Sequence, residues 1–142
     1  MHVGEQQCHH DEEERAGESV LSAISSEMVR LYKEQFGRGP TKTRTLWAGP
    51  DMLVVTLEQT FTPAERSLQR MGEHQRLRDL RLLFQYASVT AFCEPVERLI
   101  GRKVRAFVSG IDTQADLATE IYVLHPRGYE GPSRGENGDE GS

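Results

Sequence analysis

The sequence predicts an α+β fold: a two-layer sandwich in which helices pack on a four-stranded, mainly antiparallel sheet, in the order α-β-β-α-α-β-β. Three observations predict it. An apolar stripe at helical spacing precedes two strand-like segments, a helical block occupies the middle of the chain, and two more strand-like segments follow that block. Strands in pairs and helices in separate blocks are typical of layered α+β domains.

The first helix is predicted from about Ser19 to Phe36, because apolar residues recur there at three- and four-residue spacing. Gly37 and Pro40 end it, since glycine suits a left-handed cap and proline cannot continue the backbone hydrogen bonds. The stretches TKTRTLWA and MLVVTLEQTF then alternate like strands around the turn GPD. They predict a β-hairpin.

The helical block begins with the clearest start signal in the chain. Thr62 is a candidate N-cap, Pro63 fits the first helical position, and Glu65 follows the cap by three residues. This spacing predicts a capping box, in which the Thr62 and Glu65 side chains bind each other's backbone N–H groups. Gly72 is expected to break this helix.

A second helix is predicted from about Glu73, and Pro95 is expected to kink or end it. Its predicted apolar stripe consists of Leu77, Leu80, Phe84, Ala87 and Ala91, with Leu83 beside it. Gly101 is expected to close the helical region. Beyond it, the stretches RKVRAFVSGI and LATEIYVLHP predict the third and fourth strands.

The ends of the chain differ from its middle in composition. Residues 1–18 contain HHDEEER, and residues 126–142 are glycine-rich, acidic and nearly free of apolar side chains. Such segments cannot offset the entropy of ordering, so disordered tails are expected at 1–18 and 126–142, around a single domain at 19–125.

The chain is expected to be cytoplasmic. Its longest uncharged run, LLFQYASVTAFC, is too short and too polar for a bilayer span, and the N-terminus has no apolar signal-peptide core. The two cysteines, Cys8 and Cys93, do not make a disulfide framework.

The stretch GRGPTKTR, residues 37–44, resembles a phosphate-binding loop in composition only. A phosphate loop needs a strand before it and a helix after it, so that backbone N–H groups and the positive helix end meet the anion. Here the predicted helix comes first and the strand second. A structural joint is therefore the favoured interpretation.

The sequence gives little indication of a metal site or of a catalytic nucleophile. Cys8, His9 and His10 are a compact donor cluster, but a structural metal site wants four ligands at separated positions. Cys93 lies in an apolar stretch without a readable base, which predicts a buried thiol. Neither a metal, nor a cofactor, nor an enzymatic activity is predicted.

The charges are unevenly distributed. Residues 37–105 carry twelve basic and seven acidic groups, whereas residues 1–36 and 106–142 are each net acidic. The candidate ligand or partner-binding residues are Arg44, Arg78, Arg81, Arg105 and Asp112. Structural ion pairing of these arginines, with Glu58 or Glu120 as partners across the sheet, is the favoured interpretation. An anion or acidic-partner site is the alternative, while side-chain capping of a turn is expected for Asp112 and Asp116.

These residues resemble the MpsC-like family. The resemblance is carried by GRGPTKTR, DMLVVTLEQTFTPAERSL, RLRDLRLLFQ, GRKVRAFVSGID and DLATEIYVL, and it covers about residues 19–125. The family name refers to a sodium-translocating membrane-potential-generating system. Gly110 and Ile111, where an aspartate after the serine would be expected, and Pro95 depart from the family pattern.

The resemblance implies a small cytoplasmic protein connected with cation or inorganic-carbon transport, and it implies no catalytic residues. The leading hypothesis is a non-enzymatic accessory or regulatory domain, a homodimer, acting at the cytoplasmic face of a membrane transport protein. The alternative is an anion- or nucleic-acid-binding module that uses the arginine-rich centre, although aromatic residues do not interleave with the basic ones. A small enzyme would need a pocket with coupled acid and base groups, and convergence of Arg44, Glu65 and Arg81 on one cleft would favour that hypothesis.

Overall fold

The computed structural model describes the backbone of residues 3–136, and the side chains of residue 17 and residues 19–136. The helices and strands in chain order are α1 (Val3–Phe36), β1 (Lys42–Trp47), β2 (Met52–Glu58), α2 (Pro63–Arg70), α3 (His74–Ala87), α4 (Val89–Ile100), β3 (Val104–Asp112) and β4 (Leu117–Leu124). The predicted α+β fold and element order are confirmed. The tails expected at 1–18 and 126–142 include residues 1–2 and 137–142, which lie outside this description.

The four strands form one antiparallel sheet in the order β1-β2-β4-β3. The predicted first hairpin is confirmed, with Thr45 opposite Val55. Strand β4 lies between β2 and β3, which makes β1 and β3 the edges. A bulge in β3 interrupts the register between Val104 and Ala106. Successive side chains of each strand point to opposite sides, so the sheet has two faces that can be described separately.

The helices pack on one side of the sheet, called here the inner face. Its side chains include Leu53, Val55 and Leu57 of β2 and Tyr122 of β4, all fully buried. The core between this face and the helices is completed by Ile24, Met28, Leu31, Tyr32, Val89, Phe92, Val96, Val104 and Phe107. The other side of the sheet is called here the outer face.

The helices differ from the sequence prediction at three places. Helix α1 begins at Val3, well before the expected start at Ser19. The second predicted helix is divided at Ser88, whose ψ of 23° departs from helical geometry, into α3 and α4. Pro95 lies inside α4 and does not end it. The helix end predicted at Gly101 is confirmed, because Gly101 adopts a left-handed φ of 77° that glycine tolerates without strain.

Residues 126–136 pack back onto the domain, although the sequence predicted a disordered tail there. The N–H of Arg134 donates to the carbonyl of Val104 at 2.8 Å, and the hydroxyl of Thr90 donates to the carbonyl of Gly135 at 2.6 Å. Ser133 is buried. These contacts extend the packed region beyond residue 125, while the predicted division into one domain and two tails stays a prediction.

No helix within residues 3–136 combines the length and the apolar character that crossing a bilayer requires. Helix α1 has the length, with 34 residues, but its sequence is rich in charged and polar side chains.

Candidate functional site

Helix α3 buries two polar side chains, Arg81 and Gln85, and leaves several apolar side chains exposed. Leu77, Arg81 and Gln85 are spaced four residues apart, which places them on one helix face, and all three are fully buried. Leu80 is 39%, Leu83 67% and Phe84 44% exposed. The apolar stripe predicted from the sequence is therefore only partly a core stripe, because Leu77 alone among its members is buried.

The buried Arg81 guanidinium binds Glu65 in a two-pronged ion pair. Its Nε lies 2.5 Å from Oε2 of Glu65, and its Nη2 lies 2.8 Å from Oε1. Nη2 also donates to the carbonyl of Thr60 at 2.8 Å. The guanidinium carbon sits 3.9 Å from the centre of the Phe36 ring, in a cation–π contact. Removing one member would leave the other charge buried and unpaired.

Glu65 is positioned by the start of α2. The predicted capping box is confirmed: the N–H of Glu65 donates to the Thr62 hydroxyl at 3.3 Å, and the N–H of Thr62 donates to Oε1 of Glu65 at 3.0 Å. Burial alone would raise the pKa of Glu65, but the hydrogen bonds from Arg81 and Thr62 lower that pKa below its ordinary value. Glu65 thus joins the helix cap to the buried arginine.

Asp116 fixes the chain segment whose carbonyl Arg81 binds. Its carboxylate accepts the N–H of Thr60 at 2.9 Å and the N–H of Phe61 at 3.1 Å. Asp116 has a left-handed φ of 52°, as does Gln59 with 60°. These bonds tie the end of β2 to the turn before β4, so a strained turn and a buried carboxylate hold the Thr60 carbonyl in place.

Gln85 connects a second buried polar group, one turn further along α3. Its amide nitrogen lies 2.6 Å from the Tyr32 hydroxyl and 2.6 Å from Oε1 of Glu120. Its amide oxygen accepts from the Ser109 hydroxyl at 2.5 Å. Tyr32 also donates to Oε1 of Glu120 at 2.5 Å. One side chain of α3 therefore connects α1, β3 and β4.

Glu120 is fully buried in the middle of the sheet. Burial raises the pKa of its carboxyl to about 8, although the hydrogen bond from Tyr32 and the charge of Arg81 oppose this rise. Near neutral pH the neutral acid is therefore favoured. A neutral carboxyl can donate a hydrogen bond as well as accept one.

Two atoms of this buried group have no hydrogen-bond partner among the described residues. They are Nη1 of Arg81 and Oε2 of Glu120. A buried polar atom left without a partner costs about 1–3 kcal/mol. Burying the polar side chains of α3 therefore costs free energy. The same helix leaves apolar side chains exposed to solvent.

The outward surface of α3 continues onto the end of α2. This α3 surface is defined here by Met71, Leu80, Leu83 and Phe84; Met71 is 70% exposed. The charged residues beside it have both signs: Arg76 is paired with Glu73 at 3.5 Å, and Asp79 is exposed. The surface therefore combines exposed apolar side chains with charges of both signs, which is typical of a protein-docking surface.

A model of the family described as Na+-translocating membrane potential-generating system (MpsC) matches residues 17–126 of the 142-residue chain. The chain belongs to the MpsC family. The resemblance inferred from the sequence is thereby confirmed, and the family name associates the chain with a sodium-translocating membrane system. Neither a search of curated proteins nor a search of solved structures found a match.

The candidate arginines of this MpsC-family chain lie on separate surfaces. Arg44 is exposed on the outer face of the sheet, and Arg105 is the extra residue at the β3 bulge. Arg78 is exposed on α3, whereas Arg81 is buried against Glu65. Arg44 does not converge with Glu65 and Arg81, since it points to the opposite side of the sheet, and the absence of an enzymatic activity stays a prediction.

The predicted partners of these arginines also differ. Glu58 lies 3.7 Å from Lys42, and Glu120 faces the core, where it binds Tyr32 and Gln85. Asp112 caps its turn as expected, because its carboxylate accepts the N–H groups of Gln114 and Ala115, each at 3.0 Å. Its role in partner binding stays a prediction.

Cys93 is a buried thiol in the MpsC-family fold, as predicted. Burial raises the pKa of this thiol to about 12, which keeps it protonated and unreactive at neutral pH. The side chains of Cys8, His9 and His10 lie outside the description. Among the residues that are described, no group of three or more histidine, cysteine, aspartate or glutamate side chains could hold a metal ion.

Proposed function

We propose that this MpsC-family protein is a non-enzymatic accessory or regulatory subunit, dimeric, which binds a membrane protein of a sodium-translocating system at its cytoplasmic face. The α3 surface is the docking site in this proposal. The observation that carries it is the orientation of α3, which buries Arg81 and Gln85 and exposes Leu80, Leu83 and Phe84.

The energetics of α3 support docking. Burying an exposed leucine or phenylalanine contributes about 1.5–3 kcal/mol, so the α3 surface offers several kilocalories per mole to any partner that covers it. The inward network of Arg81 and Gln85 opposes rotation of the helix, because turning Leu83 inward would strip Glu65 and Glu120 of their partners. The apolar residues are therefore fixed on the outside.

The charges beside the patch have both signs, so its apolar side chains indicate what kind of partner fits. Arg76 is paired with Glu73 at 3.5 Å and Asp79 is exposed on the same helix, so the expected partner covers the patch with an apolar segment of its own. The family name supports a membrane-system subunit as the source of that segment.

The test is a pull-down from native membranes solubilised in a mild detergent, with the full chain as bait. We expect wild-type protein to retain a membrane-spanning subunit and Leu83→Glu to lose it, because a charge at the centre of the patch would be desolvated on binding. Gln114→Glu, at an exposed turn position, is the matched control. Equal recovery with Leu83→Glu and wild type would contradict the proposal. Retention of the chain on protein-free vesicles of anionic lipid, lost in Leu83→Glu, would show that α3 binds the bilayer and would also contradict it.

A further inference from the structure

The outer face of the sheet is apolar along a full row across all four strands. Leu46 lies opposite Val54, Val54 opposite Ile121, and Ile121 opposite Val108. Leu46 is 50% and Val108 49% exposed. An antiparallel sheet with one solvated face normally alternates apolar residues inside with polar residues outside. This row breaks that alternation.

A second row beside it is apolar as well. Met52 lies opposite Val123, and Val123 opposite Ala106, so seven apolar side chains form a contiguous patch. The helices that the structure describes pack on the inner face, and their contacts leave this patch partly exposed. Patches of this kind on a soluble domain mark interaction sites.

We propose that the outer face is the interface through which two copies of this chain pair, sheet against sheet. This inference deepens the dimeric state included in the proposed function and rests on it, but it does not depend on docking through α3. The second copy is chosen as occupant because the face is complementary to itself.

Self-complementarity follows from the register. A two-fold axis parallel to the strands, lying between the sheets, places β1 over β3 of the second copy and β2 over β4. The apolar row then meets itself, with Leu46 over Val108 and Val54 over Ile121. Sheets packed in this aligned manner cross at about 30°, which keeps these rows in contact.

The charges at one end of the sheet agree with this arrangement. Lys42, Glu58, Leu117 and Asp112 form a row across the four strands. The axis places Lys42 over Asp112 of the second copy, twice by symmetry. Arg44 falls over Gly110, where a side-chain position stands in open space and leaves room for a long side chain. Opposite charges and an open position thus meet the two basic residues of β1.

The size of the face sets the strength expected. Four strands at about 4.8 Å and seven residues at about 3.3 Å give a footprint of roughly 450 Å². Two copies would bury about 900 Å² in total, below the ~1,200–2,000 Å² of stable interfaces. A reversible dimer with a dissociation constant in roughly the micromolar range is therefore expected.

Sedimentation velocity of the full chain over a series of concentrations tests the interface without any membrane partner. We expect a monomer–dimer equilibrium that Val108→Glu weakens by about tenfold or more. Val108 lies on an edge strand, so circular dichroism should show a retained fold. Leu83→Glu, on the α3 surface, is the control and should leave the equilibrium unchanged. A chain that is monomeric at every concentration, or a dimer unaffected by Val108→Glu, would overturn the proposal.

Cross-linking tests the orientation. In a Cys8→Ser background, Leu46→Cys and Val108→Cys chains should be joined to each other by a bismaleimide linker of about 10 Å when combined, because the axis places these positions opposite each other across sheets that are about 10 Å apart. Leu46→Cys chains alone should not cross-link. Efficient Leu46→Cys self-coupling would overturn the β1-over-β3 arrangement. A wild-type chain that dimerises but retains no membrane-spanning subunit in the pull-down would contradict only the docking proposal.

Discussion

Helices α3 and α4 are neighbours in sequence, yet they present opposite kinds of residue to the core. Helix α4 buries Val89, Phe92, Cys93 and Val96, as an amphipathic helix on a sheet normally does. Helix α3 buries Arg81 and Gln85 and leaves Leu83 outside. The break at Ser88 allows this difference, because it separates the two helices and frees α3 from the rotation of α4.

The difference shows how polar groups can fix a helix whose apolar surface serves another purpose. In α4 the free energy of packing comes from apolar burial. In α3 the inward contacts are hydrogen bonds and an ion pair, which specify one orientation but contribute less net stability. Mutations should therefore affect the two faces of α3 very differently.

The largest effect is expected for Arg81→Met. The free energy of unfolding should fall by about 3–5 kcal/mol, because Glu65 would remain buried without its charged partner. Urea denaturation at neutral pH measures this. Arg78→Met, on the exposed side of the same helix, is the matched control and should change stability by less than about 0.5 kcal/mol. Similar losses of unfolding free energy in Arg81→Met and Arg78→Met would contradict the difference described between the buried and exposed faces of α3.

The next effect concerns the pH dependence that Glu120 contributes. Its pKa is about 8 in the folded chain, above the unfolded value of 4.5, so the folded state binds the extra proton between these values. The free energy of unfolding therefore falls as the pH rises from about 4.5 to about 8. Glu120→Gln removes the titration and keeps the shape, so its stability relative to wild type should rise by roughly 2 kcal/mol or more over that range.

Urea denaturation of wild type and Glu120→Gln at about pH 5.5 and pH 8.5 checks the sign. Parallel pH profiles for the two chains would show that the buried acid does not titrate as described. Glu65 acts in the opposite sense, because its lowered pKa contributes stability above the unfolded value that is lost as the pH falls through the folded one.

A smaller loss is expected when the cap that positions Glu65 is removed. Thr62→Ala should cost about 1 kcal/mol, because the N–H of Glu65 loses its acceptor. Thr62→Ser keeps the hydroxyl and should recover most of that stability. Thermal unfolding of the two variants decides this, and equal melting temperatures for them would show that the cap does not support the ion pair.

The smallest effect is expected for Leu83→Ala. The free energy of unfolding should change by less than about 0.5 kcal/mol, because Leu83 is 67% exposed. Leu77→Ala, on the inner face of α3, should cost about 2–5 kcal/mol. Urea denaturation of Leu83→Ala and Leu77→Ala therefore measures directly which side of α3 is packed in the core. A costly Leu83→Ala would place that side chain in the core.

The sequence was sufficient for the fold because its local signals agree with the tertiary structure. The capping box at Thr62, the glycine at position 101 and the strand alternation each appear where expected. The arrangement of α3 could not be predicted with the same rule. Leu77 lies on two possible inward faces of α3. One continues through apolar residues such as Leu80 and Phe84, and the other through Arg81 and Gln85. Hydrophobic periodicity predicts the apolar face, whereas the structure buries the other.

The polar network was missed for a related reason. Glu120 alternates with Ala118 and Tyr122 on the face of β4 that proved to be buried, which was a readable signal. Its partners Tyr32 and Gln85 lie 88 and 35 residues away, and such distances are set by packing. The apolar outer face was also missed. Along each strand, every second side chain faces the core, and those inner residues already accounted for the apolar pattern of the strands.

Photo-crosslinking from α3 tests the central claim, that its outward surface is a docking site, most directly. A benzophenone side chain at position 83 of the full chain, irradiated in native membranes, should give an adduct with a protein that has membrane-spanning segments. The same group at position 114, an exposed turn, should not. Adducts that are absent at position 83, or identical from positions 83 and 114, would contradict the claim.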